Sequence, residues 1–274
     1  MTALVVRRLL IDLQAPIARR WNGGDAFRTA FFNALSMSFP AGEQFFIDAI
    51  RGGIAKLPPE AAARFLPELQ GFVGQEATHR RIHARFNEHL ARQGHVNAWE
   101  GRIVRRARRL AGADPRHAIG ITAATEHFTA IFAEHLLATP AVLAGTEERL
   151  ATLWLWHAAE ESEHRSTAFE LYHALGGNLA WRRRWMQMVT FFFATDLLRQ
   201  TVRNLWHDGA LLRWNTWRSA GHFLFGGDGL VRHTWAPWRA YFEADFHPAH
   251  RSGDLGAAWL AEHSEVASPV QAPG

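Results

Sequence analysis

The sequence predicts an all-α protein: a four-helix bundle holding a dinuclear metal centre, with additional N- and C-terminal helices. Three observations predict it. Helical periodicity dominates the 274 residues, and no clear run of alternating strand residues appears. Glu and His recur in a set order: Glu43, then Glu76 and His79, then Glu126, then Glu161 and His164. Finally, the order is one Glu, a Glu-x-x-His, one Glu and a second Glu-x-x-His, on successive helical segments. Residues i and i+3 project from one helix face about a turn apart. Each Glu-x-x-His therefore offers an oxygen and a nitrogen to one metal, and the single glutamates bridge or cap.

The elements follow in chain order. Residues 1–13 carry two Arg in a short apolar run. Asp12 interrupts it and no small-residue cleavage site follows, so no leader is expected. Residues 25–38 read as a helix that ends before Pro40. A new helix starts near Ala41 and carries Glu43, Phe46, Ile47 and Ile50 to about Lys56. Pro58 and Pro59 mark a turn. The next helix restarts or kinks at Pro67 and runs through Glu76, His79, His83 and Leu90 to a C-cap at Gly94. A basic helix over 98–110 follows; its Arg105, Arg106, Arg108 and Arg109 read as a solvated face, with an anionic-surface contact as the alternative.

Asp114 caps and Pro115 opens the helix that carries Glu126 and stops before Pro140. Thr146 is expected to cap the next, with Glu147 and Glu148 in its first turn. That helix carries His157, Glu161 and His164 to Gly176 and Gly177. Asn178 then caps a long apolar helix to about His207. Within it, 185–198 is apolar but contains Asp196 and is flanked by arginines. It reads as a buried helix, with a membrane-surface helix as the alternative; no transmembrane span is expected. Residues 214–238 read as short helices and loops. The domain reading is one helical di-metal domain over 1–263, with ligand helices within 25–177, an extension over 178–263, and a flexible tail over 264–274.

Composition narrows the function. Hydrophobic residues at 48% and charged residues at 20% are ordinary for a globular chain of this length. With 12 Trp and 19 Phe against 2 Tyr, large apolar surfaces and an apolar pocket are expected. The chain has no Cys, which excludes disulfides, thiolate metal sites and Cys nucleophiles. The net charge is +4, and Lys56 is the only Lys among the basic residues.

Glu76, His79 and His83 form one helical stripe, and His157, Glu161 and His164 form another. Apolar neighbours such as Phe72, Phe86 and Leu153 put both stripes on a core-facing side. Charges there are costly unless neutralised, and two divalent cations would neutralise them. One Glu-x-x-His is weak evidence; four matched elements are specific. Glu160 is an alternative to Glu161, because it pairs with His164 at i, i+4. Glu163 points elsewhere. His83 is an extra ligand, a partner behind the ligands or a core His. His127, Glu134 and His135 lie near Glu126 as supporting or surface residues. Trp154, Trp156 and Phe128 read as core. Oxygen-rich ligation suits two iron ions, or manganese or a mixed pair, better than copper or zinc.

Two family resemblances follow from these residues. Phe39-Pro40-Ala41-Gly42-Glu43, Gln75-Glu76-Ala77-Thr78-His79, Trp156-His157-Ala158-Ala159-Glu160-Glu161-Ser162-Glu163-His164-Arg165 and Phe246-His247-Pro248 resemble a bacterial family of predicted metal-dependent hydrolases. The similarity spans about 25–248 and implies a ferritin-like fold. The spacing of His157, Glu161 and His164 also resembles the di-iron arylamine N-oxygenases of the p-aminobenzoate N-oxygenase type. That similarity implies His157 as a seventh protein ligand.

The expected function is a di-iron oxidase or oxygenase that uses O₂ and an external electron donor on a small apolar or aromatic substrate. The alternative is a metal-dependent hydrolase; the chain has no G-x-S-x-G, H-E-x-x-H or phosphate loop. A further alternative is a non-catalytic iron-binding protein. No nucleic-acid partner and a cytoplasmic location are expected, and the oligomeric state is left open.

Overall fold

The computed structural model describes residues 4–250 and 254–270. The fold is all-α apart from one short ribbon, in which β1 (Arg7–Leu9) pairs antiparallel with β2 (Ala267–Pro269). Arg7 lies opposite Pro269 and Leu9 opposite Ala267. The described part of the expected flexible tail is therefore held, with further bonds from Leu10 N–H to Val266 and from Val270 N–H to Val6. Residues 271–274 lie outside the described residues.

The sequence also predicts an additional N-terminal helix, and residues 4–25 do not form one. They make β1 and then an irregular strap. Pro16 disfavours helix before it. Neighbouring side chains then take the strap's carbonyls: His89 Nε2 at Leu13, Gln93 Nε2 at Ile17, and Arg149 at Asp12, Ala15 and Pro16.

Helix α1 (Ala26–Ile54) begins at Asp25, whose carboxylate accepts the Arg28 N–H at 2.9 Å. It runs straight through Pro40, where a break is predicted. Proline has no N–H for the Ser36 carbonyl four residues back. Asn87 Nδ2 donates to that carbonyl instead, at 2.9 Å, and Asn97 Nδ2 donates to the Met37 carbonyl at 2.8 Å. Partners from beyond the helix thus satisfy the groups that Pro40 would orphan. Helix α2 (Pro59–Arg92) likewise continues through Pro67, and Gly94, at φ 88°, follows its end.

Helix α3 (Glu100–Arg109) buries none of its residues. Its basic face is not simply solvated, because Arg102 and Arg106 converge on the fully buried Asp196, Arg102 Nε at 2.6 Å. Helix α4 (Pro115–Ala138) starts at its Asp114 cap. Where one helix is predicted over the last ligand segment, the chain forms α5 (Glu148–Glu163) and α6 (Thr167–Ala174). Thr146 makes no cap; Glu147 holds that position without a side-chain cap bond. The turn over 164–166 leaves His164 as the C-cap of α5 and sends α6 against α4.

Helix α7 (Leu179–His207) starts at Asn178, whose side chain accepts the Trp181 N–H at 3.0 Å. Only one face of it is buried: Trp185, Met186 and Val189 are covered, whereas Phe191 is 62% and Leu198 59% exposed. Helices α8 (Trp214–Phe225), α9 (Leu230–Ala240) and α10 (Leu255–Glu262) complete the chain. Among the described residues no helix is long and apolar enough to cross a membrane.

Helix α1 packs on α2, α4 on α5, and α1 on α4. The core divides in two along these helices. One apolar cluster joins Phe31, Phe32, Phe86, Leu153 and Trp156. The other joins Phe46, Ile50, Phe72, Ile119 and Tyr172. The Glu and His residues of the predicted site fall between the clusters on all four helices.

Candidate metal centre

Glu43 of α1, Glu76 and His79 of α2, Glu126 of α4, and His157 and Glu161 of α5 are all buried, as is His164 at the end of α5. Among the described residues two groups of donor atoms lie close enough to hold an ion, each within 4.8 Å of one another. One is Glu76, His79, Glu161 and His164; the other is Glu43, His79 and His157. The groups meet at His79. Helical spacing accounts for the aim of each side chain, since the i, i+3 pairs cover one face and α1, α2, α4 and α5 turn those faces together.

Hydrogen bonding shows what the cluster lacks. Eight buried atoms of six residues have no hydrogen-bond partner: both oxygens of Glu43, both of Glu76, Oε1 of Glu126, Oε2 of Glu161, Nδ1 of His79 and Nε2 of His164. Orphaned buried carboxylate oxygens are costly, about 1–3 kcal/mol each or more. Concentrating them in one place fits a cation and little else.

The imidazoles are held from behind. His79 Nε2 donates to Glu160 at 2.9 Å, which leaves Nδ1 facing the carboxylates. His164 Nδ1 donates to Glu126 at 2.8 Å, which leaves Nε2 3.4 Å from Glu76. One ring nitrogen anchored and the other presented is how protein-bound metals hold histidine. Glu126 lies outside both donor groups, because one of its oxygens serves His164.

His157 is reached through a longer chain of bonds. Asn87 Nδ2 donates to the Ser36 carbonyl, so its Oδ1 must accept the Ser36 hydroxyl, at 2.8 Å. Ser36 Oγ then has only lone pairs for His83 Nδ1, at 2.9 Å, and so accepts that N–H. Neutral His83 offers Nε2 as an acceptor to His157 Nδ1–H at 2.7 Å. A neutral His157 is left with a lone pair on Nε2, 3.0 Å from Glu161 and 3.8 Å from Glu43. His83 thus acts behind His157 rather than in the cluster.

Protons balance the charge of these groups. Burial pushes Glu43 and Glu76 well above the usual carboxylate range. Burial raises Glu126 to about 7 against the pull of His164. Burial also opposes charge on His79, but its bond to Glu160 and the nearby carboxylate of Glu161 lift it to about 10. His164 rises for the same reason, beside Glu126 and Glu161. Glu161 drops well below its ordinary value, because the charged imidazoles of His164 and His79 outweigh its burial. Burial lowers His157 to about 4 and His83 well below the ordinary value, and both rings are neutral.

Sequence reasoning missed two supports. Arg7 of β1 reaches Glu160 at 3.1 Å and clamps both oxygens of Glu163, at 2.7 and 2.9 Å. Gln75 also donates to Glu163, at 2.8 Å. Glu160 is thereby turned to His79 and Arg7, behind the donors, and Glu163 faces away from them. No local signal marks Arg7, more than 150 residues from its partners. His127, Glu134 and His135 stand outside both donor groups: His127 Nε2 donates to the Pro237 carbonyl at 3.0 Å, Arg165 lies 3.9 Å from Glu134, and His135 packs on His233. Phe246 packs edge-on against His127, the chain turns at Pro248–His250, and none of 246–248 belongs to either donor group.

Two cavities reach the donors. The larger, about 580 Å³, runs from His157 and Glu161 outward past Phe39, Phe132, Trp154 and Phe193. The smaller, about 340 Å³, touches Glu43 and lies under α3, against Ile103 and Leu110. Both are overwhelmingly apolar, as the Phe and Trp content predicts. No curated protein and no solved structure matches the chain. A family model described as predicted metal-dependent hydrolase matches residues 5–252, and with most of its length so covered the chain belongs to that family.

Proposed function

We propose that this chain is a metal-dependent hydrolase acting on an ester or amide with a large apolar portion. The observation that carries the metal is the set of orphaned buried oxygens and nitrogens on Glu43, Glu76, His79, Glu126, Glu161 and His164. Family membership favours hydrolysis over the oxidation expected from the ligand pattern. Those six residues, with His157 as a seventh, would hold two divalent cations in a ferritin-like arrangement of the four donor helices. When bound, the cations would supply Lewis-acid polarisation of a carbonyl and acidify an attacking water.

The chain's own residues do the rest. The larger cavity holds the apolar group beside His157 and Glu161 and keeps bulk water out. Glu160 fixes the orientation of His79, and Glu126 that of His164. The test is hydrolysis of short- and long-chain p-nitrophenyl esters by protein stripped with chelator and reloaded with Mn(II), Zn(II) or Fe(II). Metal-dependent turnover that favours the longer chains supports the reading; no turnover with any metal refutes it.

A second reading is O₂-dependent oxidation of an apolar or aromatic substrate by two iron ions, with electrons from an external donor. The donor set favours it, because four carboxylates with paired imidazoles suit iron. Oxygen uptake by the Fe(II)-loaded protein, absent with Zn(II), separates it from hydrolysis.

A further inference from the structure

The larger cavity opens through an apolar rim. Leu198, Trp217, Phe225 and Val231 line it and are also exposed, Phe225 at 67%. They come from α7, α8 and α9, so three helices share the mouth. Helical spacing extends the apolar surface to Trp214 and Trp235, which are 76% and 59% exposed. A continuous apolar surface of this kind marks a binding face.

Charge indicates what covers it. Residues 179–240 contain nine Arg, three Asp, and no Lys or Glu. Asp196 is buried against α3, and Asp208 pairs with Arg20 at 2.7 Å, which leaves Asp228 as the one exposed acid of that stretch. Arg218 and Arg232 are exposed, follow the rim residues Trp217 and Val231 directly, and make no ion pair among the described residues. Seven of the 12 Trp also fall in this stretch. Indole rings sit well at the boundary between headgroups and acyl chains, and guanidinium groups bind lipid phosphate while their stems stay in apolar surroundings. A second copy suits the face poorly, because a two-fold contact sets arginine against arginine.

We propose that the α7–α9 face docks on an anionic lipid surface, with the cavity mouth turned toward the bilayer. If the proposed function holds, an apolar substrate then enters from the membrane; the docking itself does not depend on that reading. The membrane-surface alternative of the sequence reading thus extends over three helices.

The test is co-sedimentation of the full chain with phosphatidylcholine vesicles, with and without phosphatidylglycerol. Binding should rise with phosphatidylglycerol and fall at high salt. It should drop at least about tenfold in an Arg218→Glu, Arg232→Glu double variant, since each Arg near such a surface contributes about 1 kcal/mol. Both positions are exposed, so the variant should melt like the parent. Trp217→Ser should reduce fluorescence quenching by brominated lipid and serves as a second variant. No binding to anionic vesicles, or binding indifferent to phosphatidylglycerol and to the double variant, overturns the proposal. An oligomer that the double variant dissociates also overturns it, because the face is then a contact between copies.

Discussion

Glu76→Gln separates a metal ligand from a structural carboxylate. Glu76 is fully buried and neither oxygen has a hydrogen-bond partner. Burial, reinforced by Glu126 and Glu161, holds its pKa well above the ordinary value, so the cation-free fold favours its protonated, neutral form. Glutamine has the same shape and is also neutral. The cation-free variant should therefore stay within about 1 kcal/mol of the parent. Were Glu76 instead a structural anion paired with His164, 3.4 Å away, its loss would strand a buried charge and cost about 3–5 kcal/mol. With cation present at about 100 times its Kd, the parent gains about 2.7 kcal/mol. In a chain of this size that is a rise of about 5–10 °C in Tm. The variant replaces one donor oxygen with an amide N–H that repels the metal, and should lose most of that rise. Thermal melts after chelator treatment, with and without added Mn(II), read both quantities. A variant that keeps the full metal-dependent rise, or whose cation-free form loses more than about 3 kcal/mol, refutes the reasoning.

Metal affinity should fall as pH drops through about 7, because Glu126 takes up its proton there, and binding at neutral pH should release protons in a weakly buffered titration. In the cation-free fold the sign is opposite: raised from 4.5 to about 7, Glu126 imposes no penalty below 4.5 and its full penalty above about 7, so urea midpoints should show its part of the stability declining across that window. Ser36→Ala removes the acceptor that holds the buried His83 Nδ1–H and should weaken metal binding about tenfold as well as cost about 1–3 kcal/mol of stability; unchanged affinity by competition titration would show that the chain of bonds to His157 is idle. Asp196→Ala leaves Arg102 and Arg106 without their buried partner and should cost about 3–5 kcal/mol in urea unfolding, while a loss under about 1 kcal/mol would mean water already screens the pair.

What could be read from the sequence is what a helix repeats locally. The i, i+3 and i+7 spacings place Glu76, His79 and His83 on one stripe whatever surrounds them, and the caps at Asp114 and Asn178 act within a turn. What could not be read depends on partners far along the chain. Pro40 reads as a helix end by its own chemistry, yet Asn87, 51 residues beyond Ser36, satisfies the Ser36 carbonyl that the proline abandons. Glu160 and Glu161 are equivalent by spacing, since both reach His164 within a turn. Arg7 breaks that equivalence from more than 150 residues away, by drawing Glu160 toward itself and His79. The turn over 164–166 is hidden for another reason: the residues on both sides are good helix formers, so periodicity continues across it. Tertiary packing decides there, by carrying α6 onto α4. His164 ends α5 at that turn and keeps its i+3 relation to Glu161, with Nδ1 on Glu126 and Nε2 toward Glu76. The Glu-x-x-His spacing alone predicts two donors on one side of a helix; which nitrogen each imidazole presents is decided by Glu160, Glu126 and His83, none of which the spacing can rank.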